Sequence, residues 1–227
     1  MGAGKIAVGL IKGYMRLVYR PRFTYADESL QTENFDKPSV IIANHCDHRD
    51  AVFLMASLGG KISTLTARDW YEKPQYKWVL KDAGCIPCDR GGLDTEWLRE
   101  ARDAIANGRS VLIFPEGHTR HDGEMSEFKS GFALLAVMTG APVVCIGLSG
   151  KYRKFRHTYA CIGTPTPTER TLRIDSKSLA QESAAYREKV DNLRRRAGAV
   201  CADDPAAECA GVGTDNKENE TKERAEI

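Results

Sequence analysis

The sequence predicts an α/β fold: a layered, mostly parallel or mixed central sheet flanked by helices, with an amphipathic helix at the N-terminus. Three observations predict it. From Ser39 onward, short apolar runs of strand length alternate with segments of helix length. The stretches joining one apolar run to the next are long enough for crossovers. Two of the apolar runs, Val40 to Ala43 and Ser110 to Phe114, stop in clusters of ionisable residues, and in open α/β sheets ligands gather beyond the carboxyl ends of strands.

A chain of 227 residues is long enough for one domain with a sizeable core. That domain is expected over residues 23–197, preceded by a membrane-surface or docking segment at 1–22 and followed by a disordered acidic tail at 198–227. The formal net charge of +2 is too small to imply a nucleic-acid partner. Its distribution says more, since Lys5, Lys12, Arg16, Arg20 and Arg22 stand at the start and acidic residues crowd the end. Seven cysteines, odd in number and scattered, read as mostly reduced thiols of a cytosolic setting. Neither a signal peptide nor an apolar run long enough to span a bilayer is expected.

Residues 5–19 place Ile6, Leu10, Tyr14, Leu17 and Val18 on one helical face, with Lys5, Lys12 and Arg16 elsewhere. This pattern suits either a helix on an anionic membrane surface or one packed on the domain. Pro21 ends it, and residues 22–38 read as a short strand or irregular link. Strands are expected at 40–43, 62–66, 85–88, 110–114, 142–146 and 157–162. Helices are expected over 51–58, 74–80, 93–107, 128–139 and 182–196, several of them stopped by glycine.

The first ionisable cluster is Asn44-His45-Cys46-Asp47-His48-Arg49-Asp50. His45 is its candidate base, because imidazole titrates near neutrality and can take a proton from an attacking alcohol. Its other nitrogen needs a carboxylate to fix the tautomer, which Asp50 or Asp47 can supply. The second cluster, Pro115-Glu116-Gly117-His118-Thr119-Arg120, is a tight turn able to receive an anion. Arg90 lies just past the strand at 85–88, where its guanidinium can fork onto a phosphate. Two other chemistries compete: His45, Asp47, His48, His118 and His121 as metal ligands, and Cys85-Ile86-Pro87-Cys88 as a redox dithiol. The run Lys151-Tyr152-Arg153-Lys154-Phe155-Arg156 interleaves basic and aromatic residues, fit for lipid headgroups, a phosphorylated cofactor or a solvated edge.

Residues 44–50 resemble the NHxxxxD motif of the glycerolipid acyltransferases, the group that includes 1-acyl-glycerol-3-phosphate acyltransferase. Gly84 to Arg90 is similar to that family's second block, and Phe114 to Arg120 to its third, Phe-Pro-Glu-Gly-Thr-Arg. Lys129-Ser130-Gly131 is similar to the family's sequence beyond its third block, and Ala141-Pro142-Val143-Val144 to its fourth, proline-containing block. The resemblance covers roughly residues 38–165 in the family's order. It implies acyl transfer from acyl-CoA or acyl-carrier protein to the free hydroxyl of a lysophospholipid, foremost 1-acyl-glycerol-3-phosphate. His45 would then be the general base and Asp50 its orienting carboxylate. Arg90, Glu116, Gly117, Thr119 and Arg120 would bind the acceptor, with Arg90 on its phosphate and Glu116 orienting Arg90 or a glycerol hydroxyl. No permanently bound cofactor or metal is implied. Peripheral attachment at the cytoplasmic face of the cell membrane, through residues 5–19, would bring the site to its lysolipid. One departure is plain: His118 stands between Gly117 and Thr119, where the family runs directly from Gly to Thr. Another lysolipid, such as a lyso-ornithine lipid, is the alternative acceptor, and a lipid-binding protein without turnover is the alternative of another class.

Overall fold

The computed structural model describes residues 3–27, 37–89, 95–119, 124–170 and 175–204. Its strands are β1 (Pro21–Tyr25), β2 (Val40–Ala43), β3 (Ile62–Ala67), β4 (Ile86–Cys88), β5 (Ser110–Ile113), β6 (Val143–Leu148) and β7 (Thr158–Ile162). They form one sheet in the order β1-β7-β6-β2-β5-β3-β4. Every neighbouring pair is parallel except β6 and β7, so the expected mixed sheet is found. The helices are α1 (Ala3–Tyr19), α2 (Asp50–Ser57), α3 (Arg68–Tyr71), α4 (Pro74–Ala83), α5 (Glu96–Ala106), α6 (Gly131–Thr139) and α7 (Ser176–Asp203).

Strands β2, β5 and β6 are buried along their whole length, which is why they read as unbroken apolar runs. Alternate side chains divide between two cores, as the pleat requires. Val40, Ile42, Val111, Ile113, Val143 and Cys145 pack with Ala101, Phe132, Leu135 and Val190 from α5, α6 and α7. Ile41, Ala43, Leu112, Val144 and Ile146 pack on the other face with Met15, Val18, Phe53 and Leu54 from α1 and α2. Burying each large side chain such as Phe53 or Phe132 contributes about 1.5–3 kcal/mol.

Topology places the site. After β2 the chain travels over α2 past β5 to β3, whereas after β5 it travels over α6 past β2 to β6. The two connections leave adjacent parallel strands in opposite directions and on opposite faces, so a crevice opens between their carboxyl ends.

Helix α1 packs on the domain with one side and leaves the other exposed. Met15, Val18 and Tyr19 are buried against the domain, while Ile6, Leu10, Tyr14 and Leu17 face outward. Val18 therefore leaves the face on which the sequence pattern puts it. Among the described residues no helix is long and apolar enough to cross a membrane.

Helix α7 is longer than the 182–196 expected. Asp175 caps its start by accepting the N–H groups of Lys177 at 3.3 Å and Ser178 at 3.1 Å. At the other end Ala197 and Cys201 continue the buried stripe of Leu179, Tyr186, Val190 and Leu193. Residues 198–203, expected in a disordered tail, are thus helical, because small side chains extend the packing face. The rest of the expected tail, 205–227, lies outside the described residues.

Candidate active site

The registers Val40↔Val111, Ile41↔Leu112 and Ile42↔Ile113 bring the ends of β2 and β5 side by side, so the two ionisable clusters meet. Asn44, 2% exposed, extends the β2–β6 ladder with its side chain. Its Oδ1 accepts the Leu148 N–H at 2.7 Å, and its Nδ2 donates to the Leu148 carbonyl at 3.2 Å. The loop after β2 is therefore tied to β6 before it reaches His45.

Glu116 ties that loop to β5 as well. Its Oε1 accepts the backbone N–H of His45 at 2.8 Å, and its Oε2 accepts that of Ser126 at 2.9 Å. The family resemblance puts Glu116 among the acceptor-binding groups, orienting Arg90 or a glycerol hydroxyl. At 2% exposure, with each oxygen holding a backbone amide, it ties the 44–50 loop to the segment that follows β5. Helix α7 braces the far side, since Arg187 donates to the carbonyls of Met125 at 2.6 Å and Ser126 at 2.9 Å. Gly117 turns the chain with φ +74° as its N–H donates to the Phe114 carbonyl at 3.1 Å. Any other residue in that left-handed conformation costs about 1–2 kcal/mol.

His45 Nδ1 lies 3.0 Å from Asp50 Oδ2. The same oxygen accepts the backbone N–H groups of Cys46 at 2.7 Å and Asp47 at 2.8 Å, while Oδ1 accepts the Tyr152 hydroxyl at 2.7 Å. A carboxylate surrounded by donors requires a donor from the ring too, which assigns the proton to Nδ1 and leaves Nε2 as an acceptor. The Thr119 hydroxyl, 3.1 Å away, then donates to Nε2. The imidazole stacks on Phe114 with ring centroids 4.3 Å apart. Its side chain is 18% exposed, against 0% for Asp50, so Nε2 stands at the rim while the carboxylate lies wholly inside.

Asp47, the other candidate partner for His45, is engaged elsewhere. Its carboxylate takes Arg49 Nε at 2.6 Å and Nη2 at 2.5 Å. Burial alone would raise its pKa, but the forked contact with Arg49 holds it below the usual carboxylate range. Cys46 is a half-buried thiol whose pKa is raised by desolvation and then by the nearby Asp50 and Glu116 charges, which disfavours the thiolate.

His118 is exposed and its Nε2 lies 3.0 Å from Ser126 Oγ, so the extra residue bulges outward while Thr119 still reaches His45. Arg90, Arg120 and His121 lie outside the described residues. Among the described residues no group of three or more His, Cys, Asp or Glu side chains is placed to hold a metal ion. Cys85 and Cys88 are both free thiols, the first buried and raised by desolvation. Tyr152, on the edge of this site, stands out in the sequence only as part of a basic and aromatic run. Its neighbours in that run give no signal that it turns inward.

A family model described as Acyltransferase matches residues 22–149. The chain belongs to the acyltransferase family. Over 117 residues, 51% of this acyltransferase, it is 31% identical to the chloroplastic 1-acyl-sn-glycerol-3-phosphate acyltransferase BAT2 of Brassica napus and covers 34% of that protein. Over 156 residues, 63% of the chain, it is 28% identical to human 1-acyl-sn-glycerol-3-phosphate acyltransferase alpha and covers 55% of it. The chain thus spans about a third to just over half of the length of these curated relatives. The crystal structure of the 1-acyl-sn-glycerophosphate acyltransferase PlsC from Thermotoga maritima shares the fold, with a TM-score of 0.60 at 19% identity over 88% of this chain and 82% of that one.

Proposed function

We propose that this acyltransferase moves a fatty acyl group from acyl-CoA or acyl-carrier protein to the free hydroxyl of 1-acyl-glycerol-3-phosphate, giving phosphatidic acid. The observation that carries the reading is the His45 ring: Nδ1 is committed to Asp50, and Nε2 at the rim already faces a hydroxyl, that of Thr119. An acceptor hydroxyl taking the place of Thr119 loses its proton to Nε2 as its oxygen attacks the thioester carbonyl. The tetrahedral intermediate then collapses, the carbon–sulfur bond breaks, and the imidazolium returns the proton to the departing thiolate. Asp50 stabilises the imidazolium and holds the ring in the tautomer that leaves Nε2 basic. Donors of the 115–119 turn receive the developing oxyanion. Gly117 and Thr119 belong to the acceptor side, and the family resemblance assigns Arg120 to the acceptor and Arg90 to its phosphate. The names of the relatives and the matching blocks support this choice of acceptor.

A matrix of acyl donors against lysolipid acceptors, with product mass detection, tests the reading. Phosphatidic acid from 1-acyl-glycerol-3-phosphate is the expected leading product. Transfer confined to another lysolipid, such as a lyso-ornithine lipid, would move the assignment to that acceptor. Arg90→Ala is expected to raise KM for the phosphate-bearing acceptor roughly tenfold or more, with kcat changed less, because a charge-assisted contact is lost. Steady-state kinetics on both substrates checks this, and an unchanged KM contradicts the phosphate role.

Membrane contact is the second part of the proposal, at the cytoplasmic face where the acyl donors are available. Leu10 and Leu17 are 71% and 68% exposed on the outward side of α1 and Lys5 is exposed near its start, whereas Lys12 is half-buried and Arg16 donates to the Ala56 carbonyl. Deleting the whole helix would also strip Met15, Val18 and Tyr19 from the core, so point changes are the cleaner test. Leu10→Asp with Leu17→Asp is expected to lower co-sedimentation with anionic vesicles about tenfold or more while leaving the melting temperature unchanged. Undiminished vesicle binding would contradict this role of α1.

A further inference from the structure

We propose that Tyr152 is a positioning residue for the reaction, its hydroxyl fixing the Asp50 carboxylate and its ring tying that carboxylate to helix α1 through Arg49 and Tyr19. Tyr152 stands in the connection between β6 and β7, beyond the residues 22–149 matched by the family model and outside the four blocks of the resemblance.

The geometry is that of a lock on one torsion. Asp50 Oδ2 carries three donors, the Nδ1–H of His45 and the N–H groups of Cys46 and Asp47, and Oδ1 points the opposite way. The Tyr152 hydroxyl donates to Oδ1 at 2.7 Å, so rotation of the carboxylate would break contacts at both oxygens at once. Burial, and then the Asp50 charge, push the phenol well above its ordinary pKa, which keeps it a donor at neutral pH.

The ring itself is held from three sides. It meets Tyr19 edge-on at 5.5 Å and Phe53 edge-on at 5.5 Å, and the Arg49 guanidinium lies 4.9 Å from its centroid. Arg49 also donates to the Tyr19 hydroxyl at 3.2 Å while forking onto Asp47. Tyr19 is the last residue of α1, so the helix that presents Leu10 and Leu17 outward ends on the group that steadies Asp50. Gly150, with φ +71°, lets the loop turn so close that a Cβ there would stand 2.9 Å from Cys46 Sγ. That close approach carries Tyr152 over the 44–50 loop.

The kinetic part of this inference rests on the acyl-transfer reading, and the test separates the two. Tyr152→Phe removes one oxygen and keeps the ring. It is expected to lower kcat roughly tenfold or more with KM nearly unchanged, and to lower the melting temperature by a few degrees because the buried Asp50 Oδ1 loses its donor, while the variant stays folded at assay temperature. In an Asp50→Asn background the same change is expected to cost nothing further, because its effect passes through the carboxylate. Independently of turnover, NMR of the His45 ring is expected to show the Nδ1 proton exchanging with water about tenfold faster in Tyr152→Phe. A variant with wild-type kcat and unchanged Nδ1 exchange overturns the proposal, as does a kcat loss that persists in full alongside Asp50→Asn. If the unaltered chain transfers no acyl group to any acceptor, the functional reading falls, and the exchange rate still decides the role of Tyr152.

Discussion

His45→Ala is expected to lower kcat for acyl transfer by roughly 10²- to 10⁴-fold, the range a positioned general base supplies. The fold should survive. The ring is partly exposed, stacks on Phe114 and makes two side-chain hydrogen bonds, while the backbone N–H that anchors residue 45 to Glu116 is untouched by the substitution. Loss of the ring leaves Asp50 with the N–H groups of Cys46 and Asp47 and the Tyr152 hydroxyl, so its carboxylate stays solvated by donors. The effect should fall on kcat more than on KM for either substrate, since Nε2 makes its decisive contact as the proton moves. Rates measured on purified, folded variant check this, with circular dichroism confirming the fold.

Asp50→Asn is expected to be almost as damaging, about 10²-fold or more in kcat, and for a different reason. The side chain keeps its shape but has only one acceptor oxygen for the four donors that now surround the carboxylate. Turned toward Tyr152, the NH₂ donates to a phenol oxygen that turns to accept, and only the charge that steadies the imidazolium is lost. Turned the other way, it faces the His45 ring and two backbone N–H groups. In that case the ring is driven to the other tautomer and Nε2 becomes a donor. Asp50→Ala is a poorer test. Because Asp50 is 0% exposed, it strands buried backbone amides and a hydroxyl at about 1–3 kcal/mol each, so a loss of activity would be mixed with a loss of fold. Kinetics alongside thermal melting separates the two variants.

What the sequence discloses and what it withholds differ in kind. Strands β2 and β5 are legible because both faces are buried and the runs are unbroken. His45 is legible as an imidazole just beyond a strand, but spacing leaves Asp47 and Asp50 both open as its partner. The resemblance to the NHxxxxD motif points to Asp50, and the fold pairs the two. Glu116 is visible only as a charge, and its true partners are backbone amides of residues 45 and 126, which no side-chain pattern announces. The end of α7 escapes notice because Ala197 and Cys201 bury a face without looking strongly apolar. Helix α1 misleads at Val18 for the opposite reason: both of its sides are apolar, and periodicity alone does not say which one the domain takes. Tyr152 lies 102 residues from Asp50 in a basic run, and only the β6–β7 connection brings it there.

The central claim is that His45 Nε2 activates an acceptor hydroxyl toward an acyl thioester. Its most direct test is a parallel assay of the unaltered chain and His45→Ala, measuring thiol release and acylated product by mass detection with and without 1-acyl-glycerol-3-phosphate. The account predicts matched thiol and phosphatidic acid formation that requires the acceptor and nearly vanishes in His45→Ala. Near-equal transfer by the folded His45→Ala variant would contradict it.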